Sequence, residues 1–293
     1  MENEMVAETE AAAALRDGLT APARRGELVR YIESHDMAKI EELADAFRVS
    51  SMTIHRDLEF LSKEGLIERV RGGARTLPQA FSELDVHVRR RTKVAEKHAM
   101  ASEASALIHD GNIVAFDDST TVAAMFDQID AHRPSAVITH SLGLMHSITQ
   151  LYPEITLVGL GGQYYPETDS FLGGVVVEQI KRVSADVVFV STTSLKNNAL
   201  FHPDAEAALT KKALIGMGDR KVLLMDSTKF EARGLYHVVD LSAFDDIFVE
   251  SSLSADHRAK LDRLDVNVHY VTTPTTGESP STDVKQNGPD RSK

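Results

Sequence analysis

The long C-terminal part of the chain alternates between short apolar runs and amphipathic segments, and this alternation restricts the possible folds more than any other feature. The runs NIVAF, AVIT, ITLVGL and ADVVFV are each followed by a segment with apolar residues at helical spacing. Near-continuous apolar strands that alternate with helices are typical of a mainly parallel sheet covered by helices on both faces. We therefore predict a Rossmann-like α/β domain over residues 97–271.

A different hydrophobic period marks residues 23–78. Apolar side chains recur at helical spacing in successive stretches, namely Leu28, Tyr31 and Ile32, then Ile40, Leu43, Ala44 and Phe47, then Ile54, Leu58 and Leu61. Ser50 suits the N-cap of the last stretch, and only the short break RVS separates that stretch from the one before, which is typical of a helix-turn-helix. Extended pieces around Gly72 and Gly73 predict a hairpin. We therefore predict a winged helix-turn-helix.

The remaining segments are predicted to be two terminal extensions and an interdomain linker. The chain has 293 residues and a formal net charge of −12. Residues 1–22 hold mostly acidic charges and are predicted to form a disordered N-terminal extension. Residues 272–293 are rich in Pro, Gly, Ser and Thr and are predicted to form a disordered tail. Residues 79–96 are predicted to link the two domains.

Several classes of protein are disfavoured by composition. The sequence has no Cys, which excludes disulfides and thiolate metal sites. The acidic N-terminus lacks the apolar core of a signal peptide, and no run approaches the roughly 18 apolar residues of a membrane helix. We expect a cytoplasmic protein without a membrane partner. The His residues show no compact ligand spacing, so neither a metal nor a cofactor is predicted.

The exposed N-terminal end of the third predicted helix is a candidate surface for reading DNA. Recognition helices present this end to base edges, while phosphates accept hydrogen bonds from basic groups and hydroxyls. Two further arginines lie on the predicted wing. The residues predicted to contact double-stranded DNA are Ser51, Met52, Thr53, His55, Arg56, Arg69 and Arg71. The alternative is that these helices form a small bundle whose charged face contacts solvent and does not bind DNA.

Polar residues follow several predicted strands of the C-terminal domain. The carboxyl ends of parallel strands meet at one edge of a sheet, where α/β proteins bind ligands. Hydroxyls and amides at a helix start suit a phosphate, as does Lys, and a carboxylate suits sugar hydroxyls. We therefore predict a phosphorylated sugar or polyol as the ligand. The predicted ligand residues are Asp117, Ser119, Thr120, Thr121, Thr139, Ser141, Gly161, Gly162, Lys211, Asp226 and Lys229. The alternative is that these residues only cap helices.

The N-terminal motifs resemble those of the DeoR family of bacterial transcription regulators. Members typically show V-S-x-x-T-I-R-R-D-L, then L-x-x-x-G, then R-x-x-G-G-A, and this chain has VSSMTIHRDL, LSKEG and RVRGGA. His55 stands where the pattern has its first Arg. Because His lacks the two donors with which Arg binds guanine, the resemblance implies DNA binding but leaves the base preference open.

Motifs over residues 97–252 resemble the sensor domain of the same family. D-x-G-T-T, T-N-S, G-G and D-S-[ST]-K-F correspond here to DDSTT, THS, GG and DSTKF. The resemblance implies a sensor related in fold to ribose-5-phosphate isomerase, whose sugar-phosphate ligand alters operator binding, most often in a repressor of a carbohydrate-catabolism operon. His140 replaces the usual Asn and residues 191–202 replace a more glycine-rich stretch, so the identity of the ligand stays open.

An isomerase-like enzyme that carries a DNA-binding domain is the alternative to a regulator. Asp117, Asp118, Glu206 and Asp226 are groups that such an enzyme would use for proton transfer. A fused DNA-binding domain favours sensing over turnover, and kinship of fold does not establish activity. We therefore predict no enzymatic activity and no catalytic residues. Symmetric operators require paired DNA-binding domains, so we expect a homo-oligomer, either a dimer or a tetramer.

Overall fold

A computed structural model describes residues 19–35, 37–63, 66–75 and 86–273. The predicted N-terminal extension and C-terminal tail lie almost entirely outside these residues, and so does the first part of the predicted linker. Among the described residues, no helix combines the length and apolar character needed to cross a lipid bilayer. Over the same ranges, no group of three or more His, Cys, Asp or Glu side chains is arranged to hold a metal ion.

The N-terminal domain has the helices and the hairpin of the predicted winged helix-turn-helix. Its helices are α1 Ala21–His35, α2 Ile40–Phe47 and α3 Ser51–Lys63. Its antiparallel sheet, in the order β1-β3-β2, consists of β1 Met37–Lys39, β2 Glu68–Val70 and β3 Gly73–Arg75. The apolar residues of the three periodic stretches pack into one buried core. Strand β1 was not predicted, because three residues are too few to show an alternating pattern.

The N-cap of α3 and the glycine pair of the wing have structural roles that agree with the sequence. The amide of Thr53 donates to Ser50 Oγ at 3.2 Å, which satisfies one of the unpaired amides at the start of α3. Gly72 has a φ of +83°, a conformation that suits glycine. At Gly73 an added Cβ would collide with the backbone carbonyl of Ala38. Gly72 therefore permits the tight turn of the wing, and Gly73 permits the close pairing of β3 with β1.

The C-terminal domain is built on a parallel sheet. Its strands are β4 Ile113–Phe116, β5 Ala136–Thr139, β6 Thr156–Gly159, β9 Ala185–Val190, β12 Gly218–Met225, β14 Asp246–Glu250 and β15 Asn267–Val271. They pair in the order β15-β14-β12-β9-β4-β5-β6, each parallel to its neighbours. Val187 and Val222 contribute to one apolar cluster, and Val188 and Leu223 to another. Because side chains alternate across a strand, the sheet is buried on both faces, as predicted.

Helices cover the two faces of this sheet. They are α5 Val94–Ser105, α6 Thr120–Ala123, α7 Leu142–Leu151, α8 Gly174–Ile180, α9 Ala205–Met217 and α10 Ala255–Leu261. The helix predicted over 120–131 is α-helical only in α6 and continues as a 3-10 helix over Ala124–Ala131. Helix α6 therefore has only four residues.

Two small antiparallel sheets were not predicted. One is the hairpin of β7 Gln163–Tyr165 and β8 Ser170–Leu172. The other contains β10 Ser194–Lys196, β11 Ala199–His202 and β13 Tyr236–Asp240. Their strands have three to five residues and contain few consecutive apolar positions, so they give a weak periodic signal.

Helix α4, Val86–Arg91, lies within the segment that was predicted to be a linker. Its first residue, Val86, is buried and its amide donates to the carbonyl of Glu167 at 3.0 Å. Arg90 Nη2 lies 3.0 Å from Asp169 Oδ2 in the β7–β8 turn. This part of the predicted linker is therefore packed on the C-terminal domain. The domain boundaries themselves stay predictions.

Candidate functional site

The outer face of α3 and the wing form the candidate DNA-binding surface. The apolar residues Ile54, Leu58 and Leu61 are buried, so α3 is divided as predicted into an apolar inner face and a polar outer face. Of the residues predicted to contact DNA, Thr53 is half-buried, and Ser51, Met52, His55, Arg56, Arg69 and Arg71 are exposed. Their contact with DNA stays a prediction.

Asp57 fixes α3 to α1. Its buried carboxylate accepts hydrogen bonds from Arg24 Nε at 2.7 Å and from Arg25 Nε at 2.8 Å. The Arg25 guanidinium also lies 3.9 Å from the centre of the Phe60 ring. This ion cluster could not be predicted from the sequence, because the partners are more than thirty residues apart and no local pattern connects them.

We expect Asp57→Ala to lower the free energy of unfolding by about 1–3 kcal/mol, because two arginines lose a buried carboxylate partner. Urea unfolding of the full-length chain measures this change. Glu59→Ala is the matched control, because Glu59 lies on the same helix but is exposed and pairs only with Lys63 among the contacts described for it. We expect this variant to unfold as the wild type does. An equal loss in both variants would contradict the role of Asp57.

A second candidate site lies at the carboxyl ends of the strands of the C-terminal sheet. Asp117 and Asp118 follow β4 and bind the ammonium group of Lys211 from α9. Lys211 Nζ lies 2.6 Å from Asp117 Oδ2 and 3.1 Å from Asp118 Oδ1. Asp117 also accepts the backbone amides of Ser119 and Ser191, both at 2.9 Å. We call Asp117, Asp118 and Lys211 the acid triad, and all three are buried.

The Asp118 carboxylate of the acid triad is held in its charged form. Burial raises the pKa of Asp118, but the charges of Lys211 and His140 outweigh it and keep that pKa below its usual value. Ser170 Oγ donates to Asp118 Oδ2 at 2.8 Å and stabilises the same charged form. A carboxylate whose pKa is depressed and whose oxygens already accept hydrogen bonds is a weak proton acceptor. Asp118 is therefore poorly suited to acid–base catalysis.

Two buried polar atoms beside the acid triad have no hydrogen-bond partner in the part of the chain that the structure describes. They are Nε2 of His140 and Oγ of Ser191. His140 Nδ1 donates to the carbonyl of Phe171 at 3.1 Å, and Nε2 lies 3.9 Å from Asp118 Oδ1. A buried polar atom without a partner costs about 1–3 kcal/mol, so such atoms commonly mark places where a ligand or water binds.

A further buried cation contacts Thr120, which follows Asp117 and Asp118 in the chain. Lys97 on α5 is buried, and its Nζ donates to Thr120 Oγ1 at 3.0 Å and to the carbonyl of Arg89 on α4 at 2.6 Å. Burial lowers the pKa of Lys97 to about 8, Asp226 opposes this shift, and Lys229 adds to it. We call Lys97, Lys229, Asp226 and Thr120 the lysine cluster. Lys97 was not among the predicted ligand residues, because a Lys on an amphipathic helix usually lies in solvent.

Other predicted ligand residues use their polar groups within the protein. Ser119 Oγ accepts the amide of Val122 at 3.1 Å, and Ser141 Oγ accepts the amide of Leu144 at 3.4 Å, so both side chains cap helices. Thr139 Oγ1 accepts the Ser141 amide at 3.1 Å. Ser119 and Ser141 therefore cap helices, and their contact with a ligand stays a prediction. Thr121 is buried, and its contact with a ligand stays a prediction.

The glycine pair after β6 is also held by the protein. The amide of Gly161 donates to Gln179 Oε1 at 3.2 Å, and Gln179 Nε2 donates to the Gly161 carbonyl at 2.6 Å. At Gly162 an added Cβ would lie 3.0 Å from Val176 Cγ2, so the glycine permits close packing of α8. The structure thus brings Asp117 and Lys211 together in the triad and Thr120, Asp226 and Lys229 in the lysine cluster. Gly162 permits close packing, whereas the backbone of Gly161 is hydrogen-bonded to Gln179.

Comparison with known families agrees with both parts of this structure. Residues 24–80 match the DeoR-like helix-turn-helix domain, and residues 92–251 match the DeoR C terminal sensor domain. The chain belongs to the DeoR family. A similar DeoR relative is the uncharacterized HTH-type transcriptional regulator FruR of Bacillus subtilis (strain 168). It is 30% identical over 72% of this chain and 84% of its own length.

Further DeoR relatives are named as repressors. The lactose phosphotransferase system repressor of Streptococcus mutans serotype c is 28% identical over 70% of this chain and 82% of its own length. The putative aga operon transcriptional repressor of Escherichia coli O157:H7 is 24% identical over 85% of this chain and 93% of its own length. Membership in this family makes the chain a DNA-binding regulator rather than an enzyme.

Solved structures of lower similarity were also found. A ribose 5-phosphate isomerase A from Methanocaldococcus jannaschii has a TM-score of 0.35 and 18% identity over 47% of this chain and 55% of that chain. The translation initiation factor eIF-2B of Pyrococcus horikoshii OT3 has a TM-score of 0.39 and 14% identity over 82% of this chain and 85% of that chain. Both likenesses are too distant for conclusions about ligand or activity.

Proposed function

We propose that this DeoR protein is a cytoplasmic repressor of a carbohydrate-catabolism operon. In this proposal, α3 and the wing bind double-stranded operator DNA, and the sensor domain binds a phosphorylated sugar or polyol that alters operator binding. The names of the lactose and aga repressors support a role in carbohydrate use. Two observations together carry the ligand class. Lys97 is buried and bonds to Thr120 after β4, and His140 Nε2 and Ser191 Oγ are buried atoms without partners among the described residues.

The lysine cluster is suited to the phosphate of such a ligand. Both acceptors of Lys97 Nζ described above are neutral oxygens, and Lys229 Nζ is no closer than 3.9 Å to its carboxylate neighbour Asp226. A buried ammonium group without a close counter-ion is costly, and a phosphate would supply the missing charge through strong charge-assisted hydrogen bonds. We therefore assign the phosphate to Lys97, Thr120 and Lys229.

The acid triad is suited to the hydroxyl groups of the ligand. His140 Nε2 and Ser191 Oγ are buried atoms that lack partners among the described residues, and both adjoin carboxylates of the triad. A sugar hydroxyl both donates and accepts, so it can satisfy such atoms where an apolar group would not. Binding hydroxyls at one end and a phosphate at the other would select phosphorylated sugars over free sugars and over inorganic phosphate.

The ligand can affect DNA binding through α4. Lys97 Nζ contacts both the proposed phosphate position at Thr120 and the carbonyl of Arg89. Helix α4 is the first described element after the DNA-binding domain, and Arg90 anchors it to Asp169. A ligand that competes for Lys97 would therefore change how α4 is held. In a dimer or tetramer, such a change would alter how the paired winged helices span two half-sites. The ligand shifts the equilibrium between the two arrangements only by the difference in its affinity for them.

We expect Lys97→Met to weaken binding of the active sugar phosphate by about 10–100-fold, because a charge-assisted hydrogen bond to phosphate is lost. We also expect wild-type affinity to fall as the pH rises above about 8, since only the protonated amine binds the phosphate and the pKa of Lys97 is lowered to about 8. Isothermal titration with a panel of pentose and hexose phosphates between pH 7 and 9.5 measures both effects.

Lys97→Arg is the matched control for the pH dependence, because its guanidinium stays charged over the whole range. We expect this variant to bind with an affinity that is flat between pH 7 and 9.5. A wild-type profile that is equally flat, or an unchanged affinity in Lys97→Met, would contradict the assignment of the phosphate to the lysine cluster.

A further inference from the structure

His55 on α3 is in contact with an arginine of the wing. Arg69 Nη2 lies 3.1 Å from His55 Nδ1. A guanidinium group can only donate hydrogen bonds, so Nδ1 is the acceptor of this pair. A ring that accepts at Nδ1 carries its proton on Nε2. The contact with Arg69 therefore fixes the neutral His55 ring in one tautomer.

This tautomer leaves Nε2–H as the one donor of the ring. His55 is exposed at the N-terminal half of α3, next to the exposed Arg56, where a recognition helix meets base edges. In the major groove both purines present N7 as an acceptor, but only guanine adds O6, while adenine adds the N6 donor. A single donor to N7 therefore does not distinguish adenine from guanine, whereas the two donors of an arginine select guanine.

We propose that His55, held in this tautomer by Arg69, is a specificity-determining residue that makes the operator accept either purine at one position of each half-site. The inference rests on the proposed operator binding. Cytosine presents a donor at the corresponding edge and is disfavoured by the Nε2–H group. Arg69 acts through His55 and is a positioning residue, while Arg71 on the same wing has no such contact among those described.

The test is selection of binding sites from random duplex DNA by the full-length chain, followed by sequencing. For the wild type we expect adenine and guanine at nearly equal frequency at one position of each half-site. His55→Arg is expected to favour guanine over adenine there by about tenfold or more. Arg69→Ala is expected to lose the purine preference at this position and to keep the preferences elsewhere, and Arg69→Lys, which restores a donor to Nδ1, is expected to regain it.

Arg71→Ala is the matched control on the wing. We expect it to weaken binding uniformly and to leave the base preferences unchanged, as a phosphate contact would. A wild type that selects guanine alone, selects thymine as often as a purine, or shows no position that His55→Arg alters would overturn the inference and leave the regulator function standing. Failure of the chain to select any sequence would overturn both.

Discussion

Lys211→Met is expected to lower the free energy of unfolding by about 3–5 kcal/mol, because it leaves two buried carboxylates without their cation. Lys211 Nζ lies 2.6 Å from Asp117 and 3.1 Å from Asp118, and the side chains of all three residues are at most 6% exposed. Removing one member of a buried ion pair costs far more than removing a surface charge. Urea unfolding of the full-length chain at neutral pH measures the loss.

Lys181→Met is the matched control for this experiment. Lys181 pairs with Glu178 at 2.5 Å, but both side chains are more than 60% exposed, so we expect this variant to unfold as the wild type does. Equal destabilisation of the two variants would show that the acid triad is not the buried ion cluster described here.

Replacing Lys211 should reverse the direction in which the stability of the folded state changes with pH. In the wild type the pKa of Asp118 is lower in the folded state than in the unfolded chain. Its contribution is therefore present above about pH 4, the ordinary pKa of Asp, and is lost as the pH falls further. In Lys211→Met, burial acts without the main opposing charge, so we expect stability to rise as the pH falls from 7 to 5. A variant that loses stability over this range would contradict the charge balance.

Arg56→Ala is expected to reduce operator affinity by about 100-fold or more. A base-contacting arginine is worth about 1–3 kcal/mol, and a dimer on a two-fold operator loses that contact twice. Arg56 is exposed on the outer face of α3, opposite the buried core of the domain, so the substitution should leave the fold intact. Fluorescence anisotropy with a labelled operator duplex at fixed salt measures the change.

Lys63→Ala provides a control on the same helix. Lys63 is the last residue of α3 and pairs with Glu59, so it lies far from the end that meets base edges. We expect its effect on operator affinity to be several-fold at most, and sugar-phosphate binding by Arg56→Ala to equal that of the wild type. An Arg56→Ala variant that binds the operator normally would exclude α3 as the reading helix.

The sequence predicts the fold well where the periodic signal is strong. Ile54, Leu58 and Leu61 define the inner face of α3, and Ser50 begins the helix, as the structure has it. The apolar strands of the C-terminal domain likewise lie in the parallel sheet. The β7–β8 hairpin and the sheet of β10, β11 and β13 consist of short strands, so their pairing depends on tertiary contacts and not on local pattern.

The candidate ligand site could be predicted only in part. Asp117 and Lys211 were identified from strand ends and a helix, but they lie 94 residues apart and their direct pairing has no local signal. Lys97 was missed because its burial follows from the packing of α5 against α6, and α4 was missed because a short basic stretch is typical of a linker. Residues that bind through long-range packing leave little trace in a single sequence.

The most direct test is operator binding by the full-length chain in the presence and absence of a panel of sugar phosphates. Anisotropy with a selected operator measures the dissociation constant, and the free sugars and inorganic phosphate serve as controls. We expect one phosphorylated sugar to change the constant by about 5–150-fold in the wild type, and to have no such effect in Lys97→Met at the same concentration. Specific operator binding that no sugar phosphate alters, or conversion of a sugar phosphate by the pure protein, would contradict a sugar-phosphate-sensing repressor.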